Sequence, residues 1–154
     1  MFKGFDLWIL VVVILFAIFL VYVYGFHNRD LESGKVFIGE HEFKADIADT
    51  PLKRQQGLSG RENLQDDEGM LFVFTRPGAQ RFWMMGMLIP IDIIWISDGK
   101  VVGFEKNAEP EPGVAVHNLT IYSPPLPVEL VLEVPARTVD RLGIGIGDSV
   151  SIRL

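Results

Sequence analysis

Asp92 and Glu133 are carboxylates set inside otherwise apolar stretches, the first in IDIIWIS (91–97) and the second in VELVLEV (128–134). An isolated ionised carboxylate is expensive to bury, so Asp92 must be paired, hydrogen-bonded or placed at a water-facing strand end. It could accept backbone N–H bonds or an arginine partner, or it could stand at the rim of a pocket. Two carboxyl groups facing one cleft could do general acid–base work, as in a hydrolase or carbohydrate-active enzyme, given a raised pKa on one and a substrate between them. Just upstream, Trp83, Met84, Met85 and Met87 offer adaptable apolar surface. Methionine fills irregular cores and also builds promiscuous binding faces, so the cluster is either core or a platform beside Asp92.

Other chemistries lack their residues. There is no cysteine, which removes disulfides, thiolate metal sites and a cysteine nucleophile together. His27, His41 and His117 are scattered without ligand spacing, so no metal site is expected, and no cofactor motif is present. The DDE run at Asp66 to Glu68 lacks the spacing of a calcium loop. No serine stands in a GxSxG context, and GIGIGD (143–148) precedes a strand, so it reads as a turn and not as a phosphate cradle. With 14 basic and 20 acidic side chains and a net charge of −6, no basic stripe suits nucleic acid.

The elements that must position these side chains are mainly strands. KVFIGEHEFKADIAD (35–49) alternates well enough for a hairpin turning at Gly39 and Glu40. In the segment that follows, Thr50 suits an N-cap, Pro51 a first helical position and Gly57 or Gly60 a stop, which predicts a helix of about two turns with Lys53 and Arg54 facing solvent. GMLFVF (69–74) reads as a strand covered on both faces. IDIIWISDGKVVGFEK (91–106) reads as a second hairpin with Asp98 and Gly99 in a type I′ turn. Period two puts Ile91, Ile93 and Trp95 on one face and Asp92, Ile94 and Ile96 on the other. Prolines at 110, 112, 124, 125 and 127 predict a long loop with one edge strand near Leu119 to Tyr122. A strand at 128–134, a short helix in ARTVDRLGI and a closing strand in GDSVSIRL complete the chain.

Before all of these, LWILVVVILFAIFLVYVYGF (7–26) carries no charge and is long enough for a hydrocarbon core of about 30 Å. It predicts one transmembrane helix, with no signal-peptide cleavage pattern after it and with Trp8, Tyr22 and Tyr24 as interfacial aromatics. The expected organisation is an anchor with its flank at 1–27, a linker at 28–34 and a β domain at 35–154. Lys3 on one side and Arg29, Lys35 and Lys44 on the other leave the orientation open on charge alone.

The order of GLSGRENLQDDEGMLFVF, FWMMGMLIPIDIIWISDGKVV, NAEP, VELVLEV and RLGIGIGD resembles the DUF192 family of prokaryotic proteins over about Lys35 to Leu154. The matching positions are Gly57, Leu58, Gly69, Met70, Phe72, Trp83, Met84, Pro90, Asp92, Pro110, Leu132, Glu133, Gly147 and Asp148. The resemblance implies a compact, mostly β domain behind a signal peptide or anchor, and it names a fold more than an activity. Two departures stand out: Met85 replaces a usual lysine, and Pro135 and Arg137 replace asparagine and glycine.

Together these readings predict a β-barrel or two-sheet β domain with two short helices behind one transmembrane helix, and no parallel α/β sheet, because no crossover helix is long enough. The expected protein spans the cytoplasmic membrane once, through residues 7–26 in the bilayer, and carries its soluble domain outside. It binds an envelope protein or small molecule, not nucleic acid, through Trp83, Met84, Asp92, Pro110 and Glu133. The hydrolase using Asp92 and Glu133, and an envelope scaffold in which these residues serve only folding, are the other readings.

Overall fold

The computed structural model describes residues 8–18 and 32–154. The chain divides into two compact units, Met1–Leu31 and Glu32–Leu154. In the first, residues 8–18 form helix α1, apolar and exposed along its length. No helix among the described residues is long and apolar enough to cross a membrane. Helix α1 covers only part of the predicted span, whose other residues, 7 and 19–26, lie outside the described ones.

The second unit is one seven-stranded sheet in the order β5-β4-β6-β3-β2-β1-β7. Its strands are β1 (Ser33–Ile38), β2 (His41–Ala48), β3 (Glu68–Gly78), β4 (Ile91–Ser97), β5 (Lys100–Ala108), β6 (Val128–Pro135) and β7 (Val150–Arg153), with helices α2 (Pro51–Gln56) and α3 (Thr138–Leu142). The sheet curls until its edges meet at one corner. There Val101 N–H donates to Asp148 O (2.9 Å), Gly147 N–H to Val101 O (2.8 Å) and Val150 N–H to Gly99 O (2.8 Å). The result is a half-barrel whose interior is filled by Val36, Phe43, Leu71, Ile94, Ile96 and Leu132 among others.

Both predicted hairpins form, β1–β2 and β4–β5. Asp98 and Gly99 take φ of 50° and 66°, as the tight turn requires. Helix α2 starts where its caps predict: Thr50 Oγ1 accepts from Lys53 N–H (3.3 Å), Pro51 stands in the first turn and Gly57 ends the helix at φ 52°. Arg54 departs from its predicted solvent position. Its Nη1 donates to Asp49 O (2.7 Å) and Val73 O (2.9 Å), and its guanidinium lies over the Phe74 ring at 5.1 Å.

One parallel pair is present against expectation, β2 with β3. Residues 49–67 join them, and a parallel connection needs only a dozen or so residues, which a two-turn helix with irregular chain supplies as well as a long helix does. The predicted edge strand near 119–122 is reduced to one bridge, Phe82 with Tyr122, since the flanking prolines offer no continuous ladder.

Burial differs along the sheet. Strand β1 alternates buried with exposed positions, so only its inner face is covered, whereas Ile91 to Ile96 of β4 are buried without a break. The outer face of β3, β6 and β4 must therefore carry a second apolar layer. The segment after β3 provides it: Phe82 packs edge-on against Phe72 (4.9 Å) and Trp95 (5.5 Å), with Met84 and Met87 buried beside them.

Candidate functional site

Cross-strand partners in a sheet point their side chains to the same face. Asp92 pairs with Val134 and Ile93 with Glu133. Asp92 thus shares the inner face with Ile94, and Glu133 shares the outer face with Ile93 and, through β3, with Met70. The two carboxylates lie on opposite faces of one sheet and cannot line a common cleft, which removes the paired-carboxylate arrangement that a hydrolase using both would need.

Asp92 is fully buried, and three backbone N–H groups donate to its carboxylate: Asn107 (2.8 Å) and Arg137 (3.1 Å) to Oδ1, and Val139 (2.8 Å) to Oδ2. Each donor is one the secondary structure leaves without a ladder or helix partner. Asn107 lies at φ 54° where the β4–β5 register slips, and Arg137 and Val139 open α3, whose N-cap has no side-chain bond of its own. Asp92 therefore caps α3 from another strand and holds the irregular end of β5.

Glu133 has the opposite surroundings. It is 5% exposed, and its Oε2 is buried with no hydrogen-bond partner among the described residues. Burial alone pushes its carboxyl up to about 8 from an ordinary 4.5. At neutral pH the group is chiefly the uncharged acid, able to donate through O–H as well as to accept.

This carboxyl forms part of the wall of a cavity of about 330 Å³, within the size range of small-molecule sites. Phe72, Phe74, Phe82 and Met87 supply apolar wall, Trp83 and Met85 are half-exposed, and Arg54 and Arg81 add positive charge. Neither arginine belongs to an ion pair among the described residues. The walls come from distant parts of the chain and are tied together. Ser59 Oγ donates to Met85 O (2.9 Å) and Gly60 N–H to Gly86 O (2.9 Å), joining the turn after α2 to the methionine segment. Gly57 turns the chain back at a positive φ, and a Cβ there would stand 3.4 Å from the Phe72 ring.

Of the five residues singled out in the sequence, the fold brings Trp83 and Glu133 to this cavity. Met84 is buried in the outer apolar layer, Asp92 is on the inner face, and Pro110 is half-buried in the loop after β5, none of them in the cavity wall. Arg54, Arg81 and the three phenylalanines were not singled out, because the parallel β2–β3 pairing that carries α2 to this face has no local signature. Among the described residues no group of three His, Cys, Asp or Glu side chains could hold a metal ion.

Compared with known proteins, residues 34–152 match the DUF192 family, described as uncharacterized ACR. Among solved structures the chain is similar to a protein of Sinorhizobium meliloti 1021 described as a candidate transcription regulator, with TM-score 0.71 and 31% identity over 79% of this chain and 94% of that one. It is also similar to a protein of unknown function from Novosphingobium aromaticivorans DSM 12444, with TM-score 0.69 and 33% identity over 79% of this chain and 84% of that one. No curated protein matches it.

Proposed function

The chain belongs to the DUF192 family, and from that premise we propose a membrane-tethered domain of the cell envelope that binds a small molecule in the cavity between Trp83 and Glu133. The observation that carries the reading is Glu133 in the wall of a ligand-sized cavity, its carboxyl holding a buried oxygen with no hydrogen-bond partner among the described residues. A buried polar group without a partner costs about 1–3 kcal/mol, and a bound ligand that meets it recovers that loss. Strands β3 and β6 give the site a rigid floor through Phe72, Phe74 and Glu133, while Trp83 and Met85 leave apolar surface at its edge. The description of the Sinorhizobium relative as a regulator invites a nucleic-acid reading here, but a net charge of −6 counts against it.

The tether is supported by the uncharged run 7–26 and by the exposed, wholly apolar α1 within it, side chains that a bilayer would cover. The resemblance to a family commonly carried behind a signal peptide or anchor supports a domain outside the cytoplasm. Lys100→Cys installs a single thiol at the exposed first residue of β5 in a chain without cysteines. A membrane-impermeant thiol reagent should label it in intact cells; labelling only after lysis would place the domain in the cytoplasm.

Binding is tested by a thermal-shift screen of small molecules on the wild type and on Met85→Trp, which narrows the cavity. Compounds that raise Tm of the wild type by about 2–4 °C should lose that effect in the variant. If every stabilising compound acts equally on both, the cavity is not a binding site.

A further inference from the structure

We propose that the cavity is built for a small amphipathic anion: a ring-sized apolar body, an oxygen acceptor that meets the Glu133 carboxyl, and a carboxylate or similar group that meets Arg54 and Arg81. This deepens the ligand-binding reading above and rests on it. Three features of the wall select this chemistry together.

The first is the state of the acid. Glu133 is buried against apolar neighbours, and neither arginine of the cavity bonds to it, so the form that costs least there is the uncharged one. An uncharged acid presents an O–H, and the ligand group that completes it is an acceptor such as a carbonyl oxygen. A wholly apolar ligand would leave the buried oxygen unmet, and an amine would first have to draw a negative charge into that wall.

The second is the arginine pair. Arg54 is held in place through Nη1, by the carbonyls of Asp49 and Val73, and by the Phe74 ring, which leaves its remaining N–H groups for a ligand. Arg81 is exposed in the same cavity, and neither arginine has a carboxylate partner among the described residues. Two unpaired guanidinium groups favour an anion and repel a cation. The third is the wall between these polar groups, where Phe72, Phe82 and Met87 supply apolar and aromatic surface for a flat or ring-shaped body.

The test is a titration of the full chain in detergent micelles, followed by NMR at the Trp83 indole N–H. The probes are 4-acetylphenyl carboxylates with zero, one or two methylenes before the carboxylate, the matching 4-ethylphenyl carboxylates, and 4-acetylbenzylamine. At least one acetyl carboxylate should bind saturably, at least about tenfold tighter than its ethyl counterpart and than the amine. Glu133→Gln, whose amide N–H can still donate, should keep that affinity within a few-fold. Glu133→Leu should lose about tenfold and Arg81→Gln several-fold, with urea melts confirming that both variants fold. An amine that binds more tightly than the carboxylates and is lost in Glu133→Gln would overturn the assigned ligand class while leaving a binding cavity in place. Absence of saturable binding by every probe would overturn both the class and the binding reading.

Discussion

Asp92 on β4 and Glu133 on β6 belong to neighbouring strands, one register step apart, and both are buried in apolar surroundings. Asp92 accepts three backbone N–H bonds and holds α3 and the end of β5 in place. Glu133, a lining residue of a cavity with two arginines, has a buried oxygen with no partner among the described residues. The same side-chain chemistry thus serves as a completed structural joint on the inner face of the sheet and as an open valence on the outer face. Burial of a carboxyl does not reveal which it is; the supply of donors around it does.

The largest expected difference lies between deletions of the two groups. Asp92→Ala strands three buried donors and should cost about 3–5 kcal/mol, much of the stability of a small domain. Glu133→Leu, which removes an unmet polar group, should stay within about 1 kcal/mol of wild type at pH 6 or exceed it. Urea unfolding of both variants checks the pair, and similar losses in the two would erase the distinction.

A comparable effect follows from protonation. Glu133 has its folded-state pKa raised from 4.5 to about 8. Between those values the folded chain holds a proton that the unfolded chain releases, so stability should fall as pH rises through this window, by on the order of 5 kcal/mol. The basic groups that share its cavity are Arg54 and Arg81. Stability curves of wild type and Glu133→Gln should diverge above pH 5, the variant being the flatter. Parallel curves would mean that Glu133 ionises freely.

Met85 lines the same cavity as Glu133. Met85→Lys should supply the missing cation, lower the Glu133 pKa by about one unit or more and reduce the pH-dependent loss accordingly. On the Asp92 side, Arg137 occupies φ 69°, a left-handed conformation that glycine adopts more readily. Arg137→Gly should relieve the left-handed strain and raise stability by about 0.5–1 kcal/mol, measured by urea melts, without moving the Glu133 titration.

Much of the fold was legible because its signals are local. Thr50, Pro51 and Gly57 bound α2, Asp98 and Gly99 set the second hairpin turn, and period two assigned Ile93 and Asp92 to opposite faces of β4. The cavity was not legible, because it depends on which distant strands pair. Nothing near Arg54 announces that β2 runs parallel to β3 and so carries α2 to the outer face. Asp92 and Glu133 looked alike in sequence for the same reason: only the β4–β6 register separates their faces, and the donors that satisfy Asp92 come from residues 107, 137 and 139.

The most direct measurement is a carboxyl 13C NMR titration of the full chain labelled at glutamate, with the Glu133 resonance assigned by its loss in Glu133→Gln. The midpoint expected for that resonance is near 8. A midpoint of about 4–5, the ordinary glutamate range, would contradict it, because the group would then already have a cation or free access to water.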